Sequence, residues 1–483
     1  MKRIWIILLC LFLLACVPTP ETEFVVNKGD GVIEQRLAET AEQAAKLFPD
    51  TWTEKGYDVN DRLSVEIDAE IVQKPDGVFP VYRTQERRFT DVDAQELARM
   101  LLPNPVSVHT AELTKDDWKR MFQDFLNEVE TFRAWEASGR PDDGVDRDAS
   151  GYPQAFVDSE SAWYMEQIQS APDSLPETPV SDYAGLGLGD SKVFRLSDGR
   201  MAHIGAFDWT LVISMDCVAQ GYVYDADRYE HDIQYDDAEL SSAFLPVSMD
   251  RADADAKLQH ILETVGMTDF AVRIARKANL IEDAGGKAHA VATGWAYELV
   301  RDYGGYSLSR IEFEPDQNIA YGSEDGFSAN RFIGKETLTV MVDADGLQYF
   351  EYTYPKTVVG VENPNAVLLP WEDARMRIQN AIEVTAPMQK YIEQDYVCKL
   401  RVYRLLLTTY TVRVRDSEDY YEMPCWVVFY DKDLRSREAI SFYDDIYTPE
   451  YWERNRNDTH LTQNALIVNA IDGSIIYTDY SSQ

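Results

Sequence analysis

Residues 61–102, "DRLSVEIDAEIVQKPDGVFPVYRTQERRFTDVDAQELARMLL", change period partway along. From Leu63 to Ile71 an apolar residue falls at every second position (Leu63, Val65, Ile67, Ala69, Ile71), the spacing that lines one face of a strand. Pro75, Asp76 and Gly77 supply a turn, and "GVFPVYRTQERRF" (77–89) predicts a second strand. From Thr90 the spacing becomes helical and stops at Pro103. Strands followed by a capped helix predict an α+β chain of several helix-plus-antiparallel-sheet units.

The same alternation continues along the chain. "LTKDDWKRMFQDFLNEVETFRAWEASG" (113–139) predicts a long helix, with Thr114 at the N-cap, Asp116 and Asp117 in the first turn and Gly139 beyond its end. Residues 141–182 are proline- and aspartate-rich and predict a linker or long loop, broken by a short helix near 159–170. Asp198-Gly199 marks a hairpin, 249–265 a helix, and 286–314 strands turning at Gly304-Gly305. A helix is expected from Pro370 to about residue 393, followed by long β-rich runs. "ALIVNAIDGSIIYTDY" (465–480), apolar on both sides of Asp472-Gly473, predicts a buried hairpin. Three folded domains are expected: 37–140, 183–356 and 357–483, with 141–182 between the first two.

The first sixteen residues, "MKRIWIILLCLFLLAC", have a cationic head at Lys2 and Arg3, an apolar run over 4–14, then Ala15 and Cys16. This order predicts a signal peptide over residues 1–15. Leu13-Leu14-Ala15-Cys16 resembles a bacterial lipobox, which implies cleavage before Cys16 and lipidation of its sulfur. At ~0.8 kcal/mol per buried CH₂, two acyl chains anchor stably where one is marginal. The implied place is the outer face of the cell membrane, with residues 16–36, stiffened by Pro18 and Pro20, as a disordered tether.

The formal net charge of −38 excludes a nucleic-acid partner, because there is no basic stripe to displace counterions. It suits solubility, loose divalent-cation binding or a cationic partner. Of five cysteines, Cys10 would leave with the signal peptide and Cys16 would carry lipid. Cys217, Cys398 and Cys425 then allow at most one disulfide, so stability is expected from core packing.

Chemical signatures are sparse. The chain has no HExxH, GxSxG or SxxK motif and no CxxC pair. Its six histidines are scattered among different expected elements. "GLGLGDSK" (185–192) has the glycines of a phosphate loop but precedes a strand, so a flexible sheet entry is the simpler reading. In "DRDASGYPQAFVD" (146–158), Asp146, Asp148 and Ser150 match the opening of a calcium loop. Val157 stands where a bidentate glutamate belongs, with Asp158 one place late, so a solvated acidic linker is preferred and no cofactor is expected. "YDDIYTPEYWERNRND" (443–458) offers Tyr447, Tyr451 and Trp452 as a candidate aromatic binding surface, or as rings pinning a loop to its sheet. A glycosidase-like acid pair stays open, since 84 acids discriminate nothing.

Three helix openings look alike: "TDVDA" (90–94), "SMDRA" (248–252) and "PWEDA" (370–374). Two strands with Asp-Gly turns, "LTVMVDADGLQYFEY" (338–352) and "ALIVNAIDGSIIYTDY", follow the second and third. This pattern resembles the PepSY-type module of peptidase propeptides and surface proteins. The whole chain, with "LLACVPTPETEFVVNKGDG" (13–31) and "VNAIDG" (468–473), resembles functionally uncharacterised lipoproteins of Gram-positive gut bacteria. PepSY modules inhibit peptidases or sense at the cell surface and have no catalytic residues. The resemblance therefore implies a non-catalytic binding or sensing lipoprotein for an envelope protein or peptide. Solute or glycan capture is the alternative, and a hydrolase with an acid pair stands behind both.

Overall fold

A computed structural model of the chain describes residues 48–60, 63–72, 78–138, 152–216, 222–225, 245–283, 288–304, 335–385, 396–413, 417–436 and 465–476. The expected signal peptide and tether lie outside these residues. The fold is α+β, and its contacts group into two units. One takes the described residues within Met1–Thr84, Tyr303–Ile333 and Val358–Gln483, the other those within Gln85–Asp302 and Gly334–Thr357. Both units are thus built from separated segments, unlike the consecutive domains drawn from the sequence.

The first unit is built on β1 (Thr51–Asn60), β2 (Leu63–Val72), β15 (Tyr396–Arg413), β16 (Asp419–Ser436), β17 (Ala465–Asn469) and β18 (Ile475–Ile476), adjacent in that order. β3 (Val81–Glu86) lies beside β16, and β14 (Lys356–Asn363) beside β3. All five alternate apolar residues of β2 are buried, as their spacing predicts. The pairing of β2 with β15 is parallel, which makes this a mixed sheet and not an antiparallel one. That pairing explains the discontinuous unit: residues 63–72 complete their sheet with strands more than 300 positions later.

Helix α5 (Trp371–Thr385) covers this sheet, burying Ile378, Ala381 and Ile382 in one core with β2 and β15–β17. Trp371 meets Trp52 edge-on at 5.8 Å and Trp426 at 6.2 Å. Every residue of β17 is buried, and Asn469 N–H donates to Ser474 O (2.8 Å) to close the hairpin around Gly473, whose φ is +77°. Cys425 of β16 is a free, fully buried thiol. Burial pushes its pKa up, which leaves it inert as a nucleophile.

The second unit carries β4 (Pro105–Thr110), β5 (Thr178–Pro179), β6 (Asp190–Leu196), β7 (Met201–Ala206), β8 (Thr210–Met215), β9 (Tyr222–Asp225), β10 (Phe270–Asp283), β11 (Ala288–Arg301), β12 (Thr337–Asp343) and β13 (Gly346–Thr353). Their order is β5-β4-β6-β7-β8-β13-β12-β11-β10-β9. The Asp198-Gly199 turn joins β6 to β7 with Gly199 at φ +95°, as expected of a hairpin glycine. Gly294 of β11 has a different necessity: a Cβ there would collide with the Val342 carbonyl.

Helices α1 (Asp91–Leu101) and α4 (Arg251–Val265) cover one face of this sheet with Ala94, Leu97, Ala98, Ala254, Leu258 and Leu262. Thr90 caps α1 in a reciprocal box with Asp93. In α4 the N-cap is Asp250, not Ser248, and Ala252 is exposed while Ala254 takes the buried place. The three look-alike openings therefore do not share one helical register: Ala94 and Ala374 are buried and Ala252 is not.

Candidate functional site

Two helices of the second unit stand apart from the rest. α2 (Lys115–Ala137) begins as its sequence predicts, with Thr114 accepting from Asp117 N–H and the Asp117 carboxylate accepting from Thr114 N–H (2.9 Å). α3 (Gln154–Ser170) lies within the expected linker and starts five residues earlier than the short helix anticipated there. Lys115 N–H donates to Pro172 O (2.8 Å) and the Lys115 ammonium pairs with Asp173 (2.6 Å), so the end of α3 is tied to the start of α2. The two helices form an antiparallel hairpin.

A ladder of rings fills the seam. Trp118 meets Trp163 edge-on at 5.4 Å, Phe122 stacks on Tyr164 at 5.4 Å, Phe125 meets Phe156 at 6.4 Å, and Phe132 meets Tyr152 at 5.4 Å. Val129, Phe132 and Val157 are buried at its centre, yet none belongs to the cores of the sheet. The hairpin is held by its own aromatic contacts.

Those contacts leave apolar surface uncovered. Phe156 is 45% exposed, Trp163 44% and Met165 45%. Val157 and Tyr164, seven positions apart, face the seam, and Phe156 and Trp163 form a parallel stripe beside them with one ring edge toward solvent. Such a surface offers dispersion and ring stacking and no proton transfer. It suits the apolar or aromatic side chains of a partner.

The residues singled out from sequence fall elsewhere. Cys16, Asp146, Asp148, Ser150, Tyr447, Tyr451, Trp452 and Cys217 lie outside the described residues. Asp158 lies in the second turn of α3, exposed, accepting from Gln154 Nε2 (2.7 Å), so it belongs to a helix and not to a loop. Among the described residues no group of three or more His, Cys, Asp or Glu side chains is placed to hold a metal ion. In "GLGLGDSK" the chain itself takes the loop's backbone N–H groups: Leu188 N–H donates to Asp91 (2.8 Å), Gly187 N–H to Asp190 (3.2 Å) and Gly189 N–H to Ala206 O (2.7 Å).

The most buried ion pair among the described residues is structural. The Arg301 guanidinium grips Glu336 through both carboxylate oxygens (2.8 Å each), bonds Asp269, and lies over the Phe270 ring at 4.8 Å. Glu336 also accepts from the Tyr352 hydroxyl (2.6 Å) and from Lys356 N–H (2.9 Å). Burial alone would raise the Glu336 pKa, but Arg301 overrides it and holds the carboxyl below its ordinary range. An acid so fully engaged is not a proton donor at neutral pH. It locks β11 to the start of β12 and the end of β13.

Phe156, Trp163 and Met165 escaped the sequence reading for a physical reason. In "QAFVDSESAWYMEQIQS" (154–170) apolar residues fall on more than one side of a helix, so no single stripe stands out. The usable signal was the pair of spacings 156/163 and 157/164.

No family model matches the chain, and no curated protein matches it. A solved structure of an uncharacterised protein from Eubacterium rectale is similar at TM-score 0.39 and 11% identity, over 92% of this chain and 98% of that one.

Proposed function

We propose that the chain is a protein lipid-anchored on the extracellular face of the cell membrane that binds an envelope protein or peptide and catalyses no reaction. The observation that carries this is the uncovered stripe of Phe156 and Trp163, with Met165 exposed on the other flank of the seam, on a hairpin already filled by its own rings. Isolated surface apolar residues need no explanation, but three on one helix that also buries a second apolar face do. Leu13-Leu14-Ala15-Cys16 supports the anchor. Solute or glycan capture is less well served, because Phe156 and Met165 bring no polar group to pair with sugar hydroxyls.

A photo-cross-linking amino acid at exposed Ser159, between Phe156 and Trp163 on their face of the helix, in cells expressing the full chain, tests the binding reading. A protein adduct that disappears in the Phe156→Ser/Trp163→Ser double variant supports it. Adducts no more abundant than those from the same amino acid at exposed Gln123 contradict it. Fatty-acid labelling tests the anchor: a Cys16→Ala variant that still takes up label would remove it.

A further inference from the structure

β14 is the strand whose exposure the fold does not explain. Residues 357–362, "TVVGVE", are all exposed between buried ends. Val359 and Val361 lie on one face, 52% and 55% exposed, and Val358 on the other. β14 pairs only with β3, so among the described residues no strand lies along its other edge. Proteins blunt such an edge with lysine, proline or a bulge. Residues 357–362 contain no lysine or proline, and the space beside Gly360 is open.

The charges around this edge say what fits it. Glu362 is the one ionisable residue within 357–362, and it shares the Arg83 guanidinium with Asp419, at 2.8 Å and 3.6 Å. Two carboxylates on one guanidinium leave a negative surplus at the C-terminal end of the strand. Across the chain the net charge is −38, which attracts cations at long range and opposes a second copy.

We propose that β14 is a docking edge for an extended segment of a cationic protein, which adds to the sheet as a further strand. Main-chain hydrogen bonds give the affinity, and alternate apolar side chains of the incoming segment pack on Val359 and Val361. A lysine or arginine of that segment lies beside Glu362. The proposal rests on the reading of the chain as a binder of proteins or peptides, but it uses different residues from α2 and α3.

The test uses the full chain and a fluorescent seven-residue peptide of alternating valine and threonine with a lysine at each end. Saturable anisotropy is expected. Methylating alternate backbone nitrogens along one edge of the peptide should weaken binding at least about tenfold, because each methyl removes a donor. Val361→Lys should weaken it by a similar factor, and glutamate in place of the terminal lysines by about threefold or more at low salt. Equal binding of the methylated peptide overturns strand addition, and an unaffected Val361→Lys variant overturns the location. No saturation up to about 1 mM overturns the proposal altogether. Sedimentation showing a dimer that Val361→Lys dissolves would make a second copy the occupant and overturn the cationic partner. If the peptide fails while the Ser159 cross-link persists, only β14 falls. If the cross-link fails and the peptide binds, only the hairpin reading falls.

Discussion

Helices α1 and α3 belong to the same unit and are built on opposite terms. α1 is capped by Thr90 and Asp93, carries Arg99 in its last turn, and buries Ala94, Leu97 and Ala98 against the sheet. α3 begins after Pro153 with no side-chain cap and no acid in its first turn, and it leaves Phe156, Trp163 and Met165 in water. In α1 the cap and the buried residues agree with packing on the sheet, and the apolar side chains it leaves exposed, Val92 and Met100, are not aromatic. α3 spends its largest apolar groups outside any core. A fold does not require that, and the difference is why α3, not α1, carries the functional reading.

The comparison predicts a steep gradient of mutational cost. Phe350 of β13 is fully buried beneath α1 and α4. Phe350→Ala should lower stability by about 3–5 kcal/mol, through lost transfer energy and the cavity left behind. Urea titration of the full chain, followed by near-ultraviolet circular dichroism, reads the effect. A loss of about 1 kcal/mol or less would place Phe350 in a site that collapses easily and weaken the contrast with α3.

A second prediction concerns pH. His203 of β7 is buried, and burial, aided by the charge of His109 on β4, pushes its pKa down to about 4. The unfolded chain takes up this proton near pH 6.5 and the folded chain only near 4, so stability is complete above 6.5 and falls as pH drops toward 4. By pH 5 the loss from this one group should reach about 2 kcal/mol. His203→Gln should flatten that part of the profile, and an unchanged slope between pH 7 and 5 would show that His203 is not the group responsible.

A smaller effect is expected at the helix cap. Thr90→Ala removes the acceptor for Asp93 N–H and should cost about 1 kcal/mol, read by the same urea titration. No equivalent cap exists on α3 to remove, and Pro153 already fixes its entry.

What was legible in the sequence follows the same division. The alternation of β2, the Thr90 and Thr114 caps, the Asp198-Gly199 turn and the buried run 465–469 were all readable, because each is decided by local geometry and one-sided burial. The parallel partnership of β2 with β15 was not, since nothing in residues 63–72 encodes which distant strand completes the sheet. Ser248 opens one of the three look-alike stretches as Thr90 opens another, but the helix there begins three residues later. The candidate site was missed because proline-rich flanks and an unstriped apolar pattern both argue for a loop. Only the partner helix α2 reveals which side of α3 is spare.

The change on the exposed face of α3 is the most informative. Phe156→Ser and Trp163→Ser remove rings that are nearly half exposed, whose inner edges touch Phe125 and Trp118. Each ring pair contributes about 0.5–1.5 kcal/mol when well formed. Here one partner of each pair is half in water, and serine leaves no buried polar group unpaired. The double variant should therefore cost no more than about 1–2 kcal/mol, well below Phe350→Ala. Binding should respond in the opposite order, because an interface anchored on exposed aromatic rings loses most of its affinity when those rings go. A double variant that melts like Phe350→Ala would show that the rings belong to a core, and the difference between α1 and α3 would then be one of packing and not of function.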